Sequence, residues 1–167
     1  MQVPSKSDDV TGLLQRLVAR ELPSGSTLEA WDSFLRAHAT LMRRLKVDLT
    51  QATGLALADF DVLAQLARAG GELRMTDLAA RALISRSGMT RRVARLVEEG
   101  LVRRANADVD ARGVIVALTD AGVARLTETA PVHLRGVSEL FVAQLDDQEL
   151  AVLKNALHKV TVECTFG

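Results

Sequence analysis

Apolar residues recur at helical spacing in the first third of the chain. Between Val10 and Leu22 they fall at i, i+3, i+4, i+7 and i+8, which predicts a short helix within an N-terminal arm of residues 1–26. A longer amphipathic pattern covers residues 27–54, and its apolar stripe is too extensive for an isolated surface helix. We therefore expect this second helix to bury against other helices, in part across a dimer.

Shorter patterns fill residues 55–119. Helical spacing predicts a helix over residues 58–69 and two more over residues 77–81 and 86–99, joined by a tight turn. Ser85 directly precedes the last of these helices, and a serine hydroxyl commonly caps the free N–H groups at a helix start. Two helices joined in this way predict a helix-turn-helix.

Apolar runs bounded by polar residues predict the strands. Residues 101–104 and 114–118 form a predicted two-stranded hairpin with a polar, charged tip, and residues 73–75 form one short strand. A hairpin that follows a helix-turn-helix makes a winged helix. The sequence therefore predicts that residues 55–119 are a winged helix-turn-helix domain.

Helical spacing returns after the hairpin, over residues 120–145 and 146–164, with Thr119 or Asp120 as the cap of the first of these helices. We expect the long second helix to bury against these two helices, in part across a dimer, so we assign residues 27–54 and 120–167 to a helical dimerisation region. The stripe predicted for the last helix consists of Leu150, Leu153, Leu157 and Val160. The predicted fold is mainly α with a small β-wing: a winged helix-turn-helix domain plus a helical dimerisation domain.

The predicted helix over residues 86–99 has a distinct outward face. Arg91 points almost directly away from its apolar side, flanked by short residues and by further arginines. Short side chains let a helix backbone approach the DNA major groove, and guanidinium groups fit guanine edges and phosphates. The residues expected to face the core fall within about 100° of one another on the helix: Met89, Val93, Leu96 and Val97.

The charge of this stretch differs from that of the whole chain. The chain is neutral, with 21 basic and 21 acidic residues, whereas residues 81–104 hold seven arginines and two glutamates, a net charge of +5. The alternative interpretation is a solvated surface helix, but such faces usually interleave acids with bases. Because a local basic field suits phosphate binding, we predict that this helix binds double-stranded DNA.

The tip between the predicted strands carries Asp108, Asp110 and Arg112. An arginine at such a tip fits insertion beside the minor groove, whose narrow A·T-rich form attracts positive charge. Asp110 is two residues from Arg112, close enough to brace the guanidinium or its loop. We therefore predict a second DNA contact at this tip.

The stretch SRSGMTRRVARLVEEGLVRR, followed by DVDARGVIVALTDAG, resembles the MarR family of winged-helix transcription regulators. That family has a Thr-Arg pair in its recognition helix, then Leu-x-x-x-Gly-Leu-Val-x-Arg, Asp-x-Arg in the wing and Leu-Thr-x-x-Gly. One departure is Ala111, where many members have a further arginine, so Arg112 must make the wing contact alone. The matching residues are Thr90, Arg91, Leu96, Gly100, Leu101, Val102, Arg104, Asp110, Arg112, Leu118, Thr119 and Gly122.

The resemblance spans roughly residues 28–162 and implies a homodimer whose two recognition helices read a pseudo-palindromic operator. It implies a transcriptional regulator, expected to be a repressor, that a small aromatic or lipophilic acid releases from DNA. The residues predicted to contact DNA are Ser85, Arg86, Ser87, Gly88, Thr90, Arg91, Arg92, Arg95, Asp110 and Arg112.

Effectors of the resembled family often bind in a crevice between the dimer helices and the winged domain. His38 has three interpretations here: an interface histidine with a satisfied hydrogen bond, a ligand contact or a metal ligand. His133 and His158 are expected at the surface or at an interface. The candidate lining residues are Trp31, Phe34, His38, Met42 and Phe60.

Composition bears on location and cofactors. No apolar run approaches the ~18–20 residues needed to cross a membrane, and the first residues lack a signal-peptide pattern, so a cytoplasmic location is expected. Three dispersed histidines and the single Cys164 show no metal-ligand spacing, so no metal or other cofactor is predicted. A metal- or redox-governed regulator of the same fold remains the alternative.

Two other classes of function fit the sequence less well. The chain has no glycine-rich phosphate loop, no nucleophile elbow and no histidine paired with a carboxylate at helical spacing, so catalysis is not expected. A protein-interaction module that does not bind DNA would not need the outward arginines. A DNA-binding regulator is therefore the favoured function.

Overall fold

The structure is a computed structural model, and it describes residues 6–22, 25–82, 84–106 and 113–166. The chain divides into two compact units, residues 1–43 and 44–167. None of the described helices is long and apolar enough to cross a membrane. The helices are α1 (Lys6–Glu21), α2 (Gly25–Thr53), α3 (Leu57–Arg68), α4 (Met75–Arg81), α5 (Arg86–Glu98), α6 (Asp120–Leu140) and α7 (Asp147–Phe166), and the strands are β1 (Glu72–Arg74), β2 (Val102–Asn106) and β3 (Val114–Leu118).

Helices α1 and α2 follow the predicted periodicity, with one difference at the start. Helix α1 begins at Lys6, four residues before the first apolar position of the pattern, so the helix is longer than its apolar stripe. Helix α2 ends at Thr53, and Gly54 follows with a φ of 72°, the left-handed conformation that often ends helices. The predicted stop at the end of α2 therefore has a conformation that favours glycine.

A three-stranded antiparallel sheet of order β1-β3-β2 lies in the second unit. Strands β2 and β3 form the predicted hairpin, with Val102 opposite Leu118 and Asn106 opposite Val114. Strand β1 pairs with the other edge of β3, placing Glu72 opposite Ala117. The sheet therefore has one strand more than the predicted hairpin, because an apolar run identifies a strand but not its partner.

The core of the second unit lies between α3, α4, α5 and the sheet. Three of the four residues predicted to face the core from α5 are fully buried, but Val97 is 38% exposed, so that prediction was wrong. The buried positions of α5 are spaced i, i+4 and i+7, and Val97 lies at the edge of this narrow stripe. The largest fully buried apolar side chains are Leu49, Leu63, Leu66, Leu78, Met89, Leu96, Val62, Val93, Val102 and Val116.

The two C-terminal helices begin with side-chain caps. The hydroxyl of Thr119 accepts the N–H of Gly122 at 3.0 Å and caps α6. Before α7, the Asp146 carboxylate accepts the N–H of Glu149 at 2.8 Å, and the Glu149 carboxylate accepts the N–H of Asp146 at 2.9 Å. This reciprocal arrangement satisfies two donors at the helix start. Helix α6 ends at Leu140, five residues before the predicted end, and one 3₁₀ turn separates it from α7.

Candidate nucleic-acid interface

The first turn of α5 has the predicted cap. The Ser85 hydroxyl accepts the N–H of Gly88 at 3.2 Å and lies 3.4 Å from the Ser87 hydroxyl. A Cβ at Gly88 would lie 3.0 Å from Ile84 Cγ2 and 3.1 Å from Ser85 Oγ. The crowded cap therefore explains a glycine at this position without any ligand. The sequence had indicated a different explanation, the close approach of DNA to a short side chain.

We name the exposed side of α5 the outward face: Arg86, Ser87, Thr90 and Arg91. Within the described part of the chain, the guanidinium groups of Arg86 and Arg91 have no hydrogen-bond or ion-pair partner. The Thr90 hydroxyl donates to the Arg86 carbonyl at 2.9 Å, which holds it close to the helix. The outward face thus offers two unpaired guanidinium groups beside short hydroxyl side chains.

Two other arginines of α5 turn towards α3. The Arg92 Nη1 donates to Asp59 Oδ1 at 2.7 Å, and Arg95 Nη2 donates to Asp59 Oδ2. The Asp59 side chain is 5% exposed, compared with 25% for Arg92 and 50% for Arg95. Arg95 also approaches Glu99, with 3.6 Å between Nε and Oε1. The sequence predicted DNA contacts for both arginines, but it carried no sign of their partner, because Asp59 is 33 residues from Arg92.

Strand β2 adds a third arginine that binds within the protein. The Arg104 Nη2 donates to the Thr90 carbonyl at 3.1 Å, which joins the hairpin to the middle of α5. Arg81 and Arg103 are exposed, without a hydrogen-bond or ion-pair partner among the residues that the structure describes. The basic stretch of the sequence therefore contains two kinds of arginine, those that hold the protein together and those open to a partner.

The predicted contacts of the wing tip lie outside the described residues. Asp110 and Arg112 fall between the ends of β2 and β3, where Asn106 pairs with Val114. The role of both tip residues stays a prediction.

The residues predicted to line an effector site are divided between the two units. Trp31, Phe34 and His38 form a row on α2, with ring centroids 6.1 Å and 6.2 Å apart in order. Met42 is exposed one turn later on the same helix. Phe60 is instead a core residue, 6% exposed.

Phe60 has a partner that the sequence did not indicate. Its ring centroid lies 4.5 Å from that of His133 on α6. The His133 Nδ1 is buried and has no hydrogen-bond partner within the described part of the protein. Burial lowers the pKa of His133, the nearby Asp61 carboxylate opposes this change, and Arg68 adds to it. His133 was expected at the surface or at an interface, and the structure places it partly buried instead.

An open cleft of about 390 Å³ lies between the last turns of α2 and the C-terminal half of α6. It holds charges of both signs and none of the predicted effector residues. Among the described residues, no group of three or more His, Cys, Asp or Glu side chains is placed to hold a metal ion. The residues that line the cleft are Asp48, Gln51, Ala52, Val132, Arg135, Gly136 and Glu139.

Comparisons with known proteins agree with this geometry. The sequence model of the MarR family matches residues 53–113, the region from the end of α2 to the start of β3. An HTH-type transcriptional regulator of Bacillus cereus is 31% identical over 106 residues, which are 64% of this chain and 69% of that protein. The chain belongs to the MarR family of transcriptional regulators.

Solved MarR-family structures show the same fold. The crystal structure of AbsC from Streptomyces coelicolor has a TM-score of 0.81 at 28% identity, over 88% of this chain and 99% of AbsC. Sco3205 from the same organism, solved in complex with DNA, has a TM-score of 0.78 at 31% identity, over 84% of this chain and 92% of Sco3205. The predicted family and fold class are confirmed.

Proposed function

We propose that this MarR-family regulator is a homodimer that binds a pseudo-palindromic operator in double-stranded DNA and represses transcription. The observation that carries the proposal is the outward face of α5, where Arg86 and Arg91 have no partner among the described residues. Unpaired guanidinium groups next to short side chains suit entry into a major groove. Sco3205, which is 31% identical, was solved in complex with DNA, which supports DNA binding by this chain.

Within the proposed interface, the residues of α5 have different roles. Arg91 is at the centre of the outward face, so we assign it to a base edge, where a guanidinium can bind guanine by two hydrogen bonds. Arg86 lies in the first turn and is assigned to a phosphate. Ser85, Ser87 and Thr90 allow the backbone to approach the groove. Arg112 remains the proposed minor-groove contact, with Asp110 to brace it.

The proposed dimer rests on the apolar surface of α7. Val160 is 60% exposed and Leu157 is 38% exposed, and they lie three residues apart on one side of α7. Apolar side chains in such a row on one helix usually indicate an interface. A second copy of the chain would cover them and place two recognition helices about 34–36 Å apart, one turn of DNA.

A mobility-shift assay with the DNA that flanks the protein's own gene tests the proposal. Arg91→Ala should weaken binding by about 1–3 kcal/mol and relax the preference at one operator position. Arg86→Ala should weaken binding to every sequence and make its salt dependence shallower by about 0.9 per protomer. Arg36→Ala, which removes an exposed arginine from α2, is the control and should leave binding unchanged.

Two results would contradict these assignments. Loss of binding to all sequences alike in Arg91→Ala would make Arg91 a phosphate contact rather than a base contact. No shift of any DNA by the unaltered protein would favour a protein-interaction module.

We further propose that a small aromatic acid releases the DNA by binding to the row of Trp31, Phe34 and His38. The row is exposed, its neighbouring rings are inclined to one another by 33° and 26°, and His38 supplies a polar group, so it offers aromatic surface and a hydrogen-bonding group to a flat ligand. Salicylate as the probe should quench Trp31 fluorescence and reduce DNA binding, and His38→Ala should weaken both effects together. Release of DNA at the same salicylate concentration in His38→Ala would place the site elsewhere, and His158→Ala is the control.

A further inference from the structure

The Asp59 carboxylate is the buried charge that lies closest to the proposed interface, and the DNA-binding proposal gives it no role. It belongs to the first turn of α3 and binds one guanidinium with each of its oxygens. Arg92 and Arg95 are three residues apart, so they leave the same side of α5 and reach the carboxylate from successive turns. Two helices of the winged domain are therefore joined through one acidic residue.

The two arginines are held to different degrees. Arg92 is the more buried, and its Nε is buried without a partner within the described residues, which shows that its side chain points into the protein. Arg95 is half exposed and belongs to the same helix as the outward face. Arg95 is therefore the one that could also reach a phosphate if it left Asp59.

Departure of Arg95 has a cost on the protein's side. A carboxylate that is 5% exposed is poorly solvated, so it is stabilised by both guanidinium groups and loses part of that stabilisation when one leaves. A DNA phosphate can bind Arg95 only if the new ion pair compensates for the stabilisation that Asp59 loses. Asp59 therefore competes with DNA phosphates for the arginine.

We propose that Asp59 is a positioning residue for sequence-specific DNA binding, which rests on the function proposed above. Through Arg92 and Arg95 it fixes the recognition helix against α3, and it withholds the positive charge of Arg95 from phosphates. Phosphate contacts carry no base information, so a phosphate gained by Arg95 would strengthen binding to every sequence, whereas a helix no longer held by Asp59 would bind the operator bases less well. Asp59 thereby raises the preference for the operator over other sequences.

The test compares two duplexes: one enriched by the unaltered protein from a random library, and a scrambled duplex of the same composition. Asp59→Asn keeps the size of the side chain and removes its charge. We expect tighter binding to the scrambled duplex, with a salt dependence steeper by about 0.9 for each arginine that gains a phosphate in each protomer. The preference for the selected duplex should fall, because α5 is no longer held in its orientation.

Three variants separate positioning from a general effect of charge or folding. Asp61→Asn removes the same charge from the same helix, but Asp61 has no ion pair within the described residues, so its salt dependence should match that of the unaltered protein. Asp59→Glu keeps a carboxylate and should restore the original salt dependence. The double variant Asp59→Asn with Arg95→Gln should lose most of the extra affinity for the scrambled duplex that Asp59→Asn alone gains.

The outcomes are distinguishable. Failure of the unaltered protein to enrich any sequence would contradict the proposed function itself. A second outcome is that the unaltered protein enriches a sequence while Asp59→Asn loses affinity equally for both duplexes and keeps the same salt dependence. That result would show a merely structural role for Asp59 and overturn the inference. If Asp59→Asn does not fold, Arg95→Gln alone decides: an unchanged salt dependence on the scrambled duplex supports the inference, and a shallower one, by about 0.9 per protomer, overturns it.

Discussion

At Gly122, helix α6 lies close to the backbone of the chain that leaves α5. A Cβ at this position would overlap the carbonyl oxygen of Leu101. Gly136, in the same helix, is crowded only by the Cδ2 atom of Leu45, at 2.8 Å from the ideal Cβ. The two glycines therefore differ in what surrounds them: a backbone atom that cannot move alone in one case, and the end of a flexible side chain in the other.

We expect Gly122→Ala to lower the free energy of unfolding by about 2 kcal/mol or more, because the backbone of α6 must shift away from Leu101. Gly136→Ala should be close to neutral, since Leu45 can change rotamer and alanine favours a helix by about 1 kcal/mol over glycine. Urea denaturation of both variants at one protein concentration measures the difference. Equal stability of the two variants would contradict the steric argument.

His133 makes the stability depend on pH. Burial lowers its pKa in the folded protein below the 6.5 of an exposed histidine, so the unfolded chain takes up the proton first as the pH falls. The stability is therefore complete above about pH 6.5 and decreases as the pH falls through that value towards the folded pKa. The sign follows from the depressed pKa of a base, whose charged form is favoured in the unfolded state.

The variant His133→Phe keeps a ring against Phe60 and removes the titrating group. We expect its free energy of unfolding to change less between about pH 7.5 and pH 5 than that of the unaltered protein. His158→Gln, at an exposed position of α7, should leave the pH dependence as it was. If His133→Phe also left it as it was, other groups would govern acid stability.

At the residue scale, the sequence predicted side-chain direction better than side-chain partners. The helical wheel placed Arg91 outward and Met89 inward, because both follow from local periodicity. It could not show that Arg92 and Arg95 meet Asp59, or that Phe60 meets His133. These contacts join segments far apart in sequence, and only the tertiary fold brings them together.

At the scale of elements, Thr119 joins the end of α5 to the start of α6. Its hydroxyl donates to the Gly100 carbonyl at 2.7 Å and accepts the N–H of Gly122 at 3.0 Å. Its own N–H donates to the Leu101 carbonyl at 3.2 Å. Gly100, with a φ of 73°, is the predicted stop after α5, so one residue connects two helix ends that the sequence had treated separately.

We expect Thr119→Ala to lower the free energy of unfolding by about 1–2 kcal/mol, because it removes a cap and a second hydrogen bond together. Thr119→Ser keeps the hydroxyl and should lose much less. Thermal denaturation of the pair isolates the hydroxyl from the methyl group. Similar losses in both variants would assign the effect to packing.

Elements with local signals were predicted to within a few residues. Helix α5 begins at Arg86 as expected, because its cap and its apolar periodicity both depend on residues that are close together in sequence. Strand β3 also has the predicted limits. The pairing of β1 with β3 was not predicted, because it depends on a strand that is distant in sequence. The early end of α6 was not predicted either, because the residue that follows the helix, Phe141, is not a glycine or proline that would signal a helix end.

At the scale of the whole molecule, the apolar stripe of α7 is a feature that a single chain does not explain. The stripe that the sequence predicted for this helix includes Leu157 and Val160, and both are exposed in the single chain. Periodicity shows that a face is apolar, but not whether the same chain or a second copy covers it. The proposed homodimer accounts for this face.

A charge in that stripe tests the dimer without disturbing the protomer. Val160→Glu should shift the protein from dimer to monomer, because the side chain is already 60% exposed in one chain and would be desolvated only by a partner. Asn155→Glu adds the same charge on the opposite side of α7 and should remain dimeric. Sedimentation velocity at matched concentrations compares the two, and identical sedimentation would contradict an interface on this stripe.

The pairing of β1 with β3 also has a consequence during synthesis. Glu72 lies opposite Ala117, so β1 leaves the ribosome 45 residues before its partner does. At about 5–20 residues per second, this delay amounts to roughly 2–9 s, during which α4 and α5 can form while the edge of β1 is unpaired. Helix α5 therefore leaves the ribosome before the sheet of the winged domain is complete, and the hydrogen bond from the Leu118 N–H to the Gly71 carbonyl can form only after that delay.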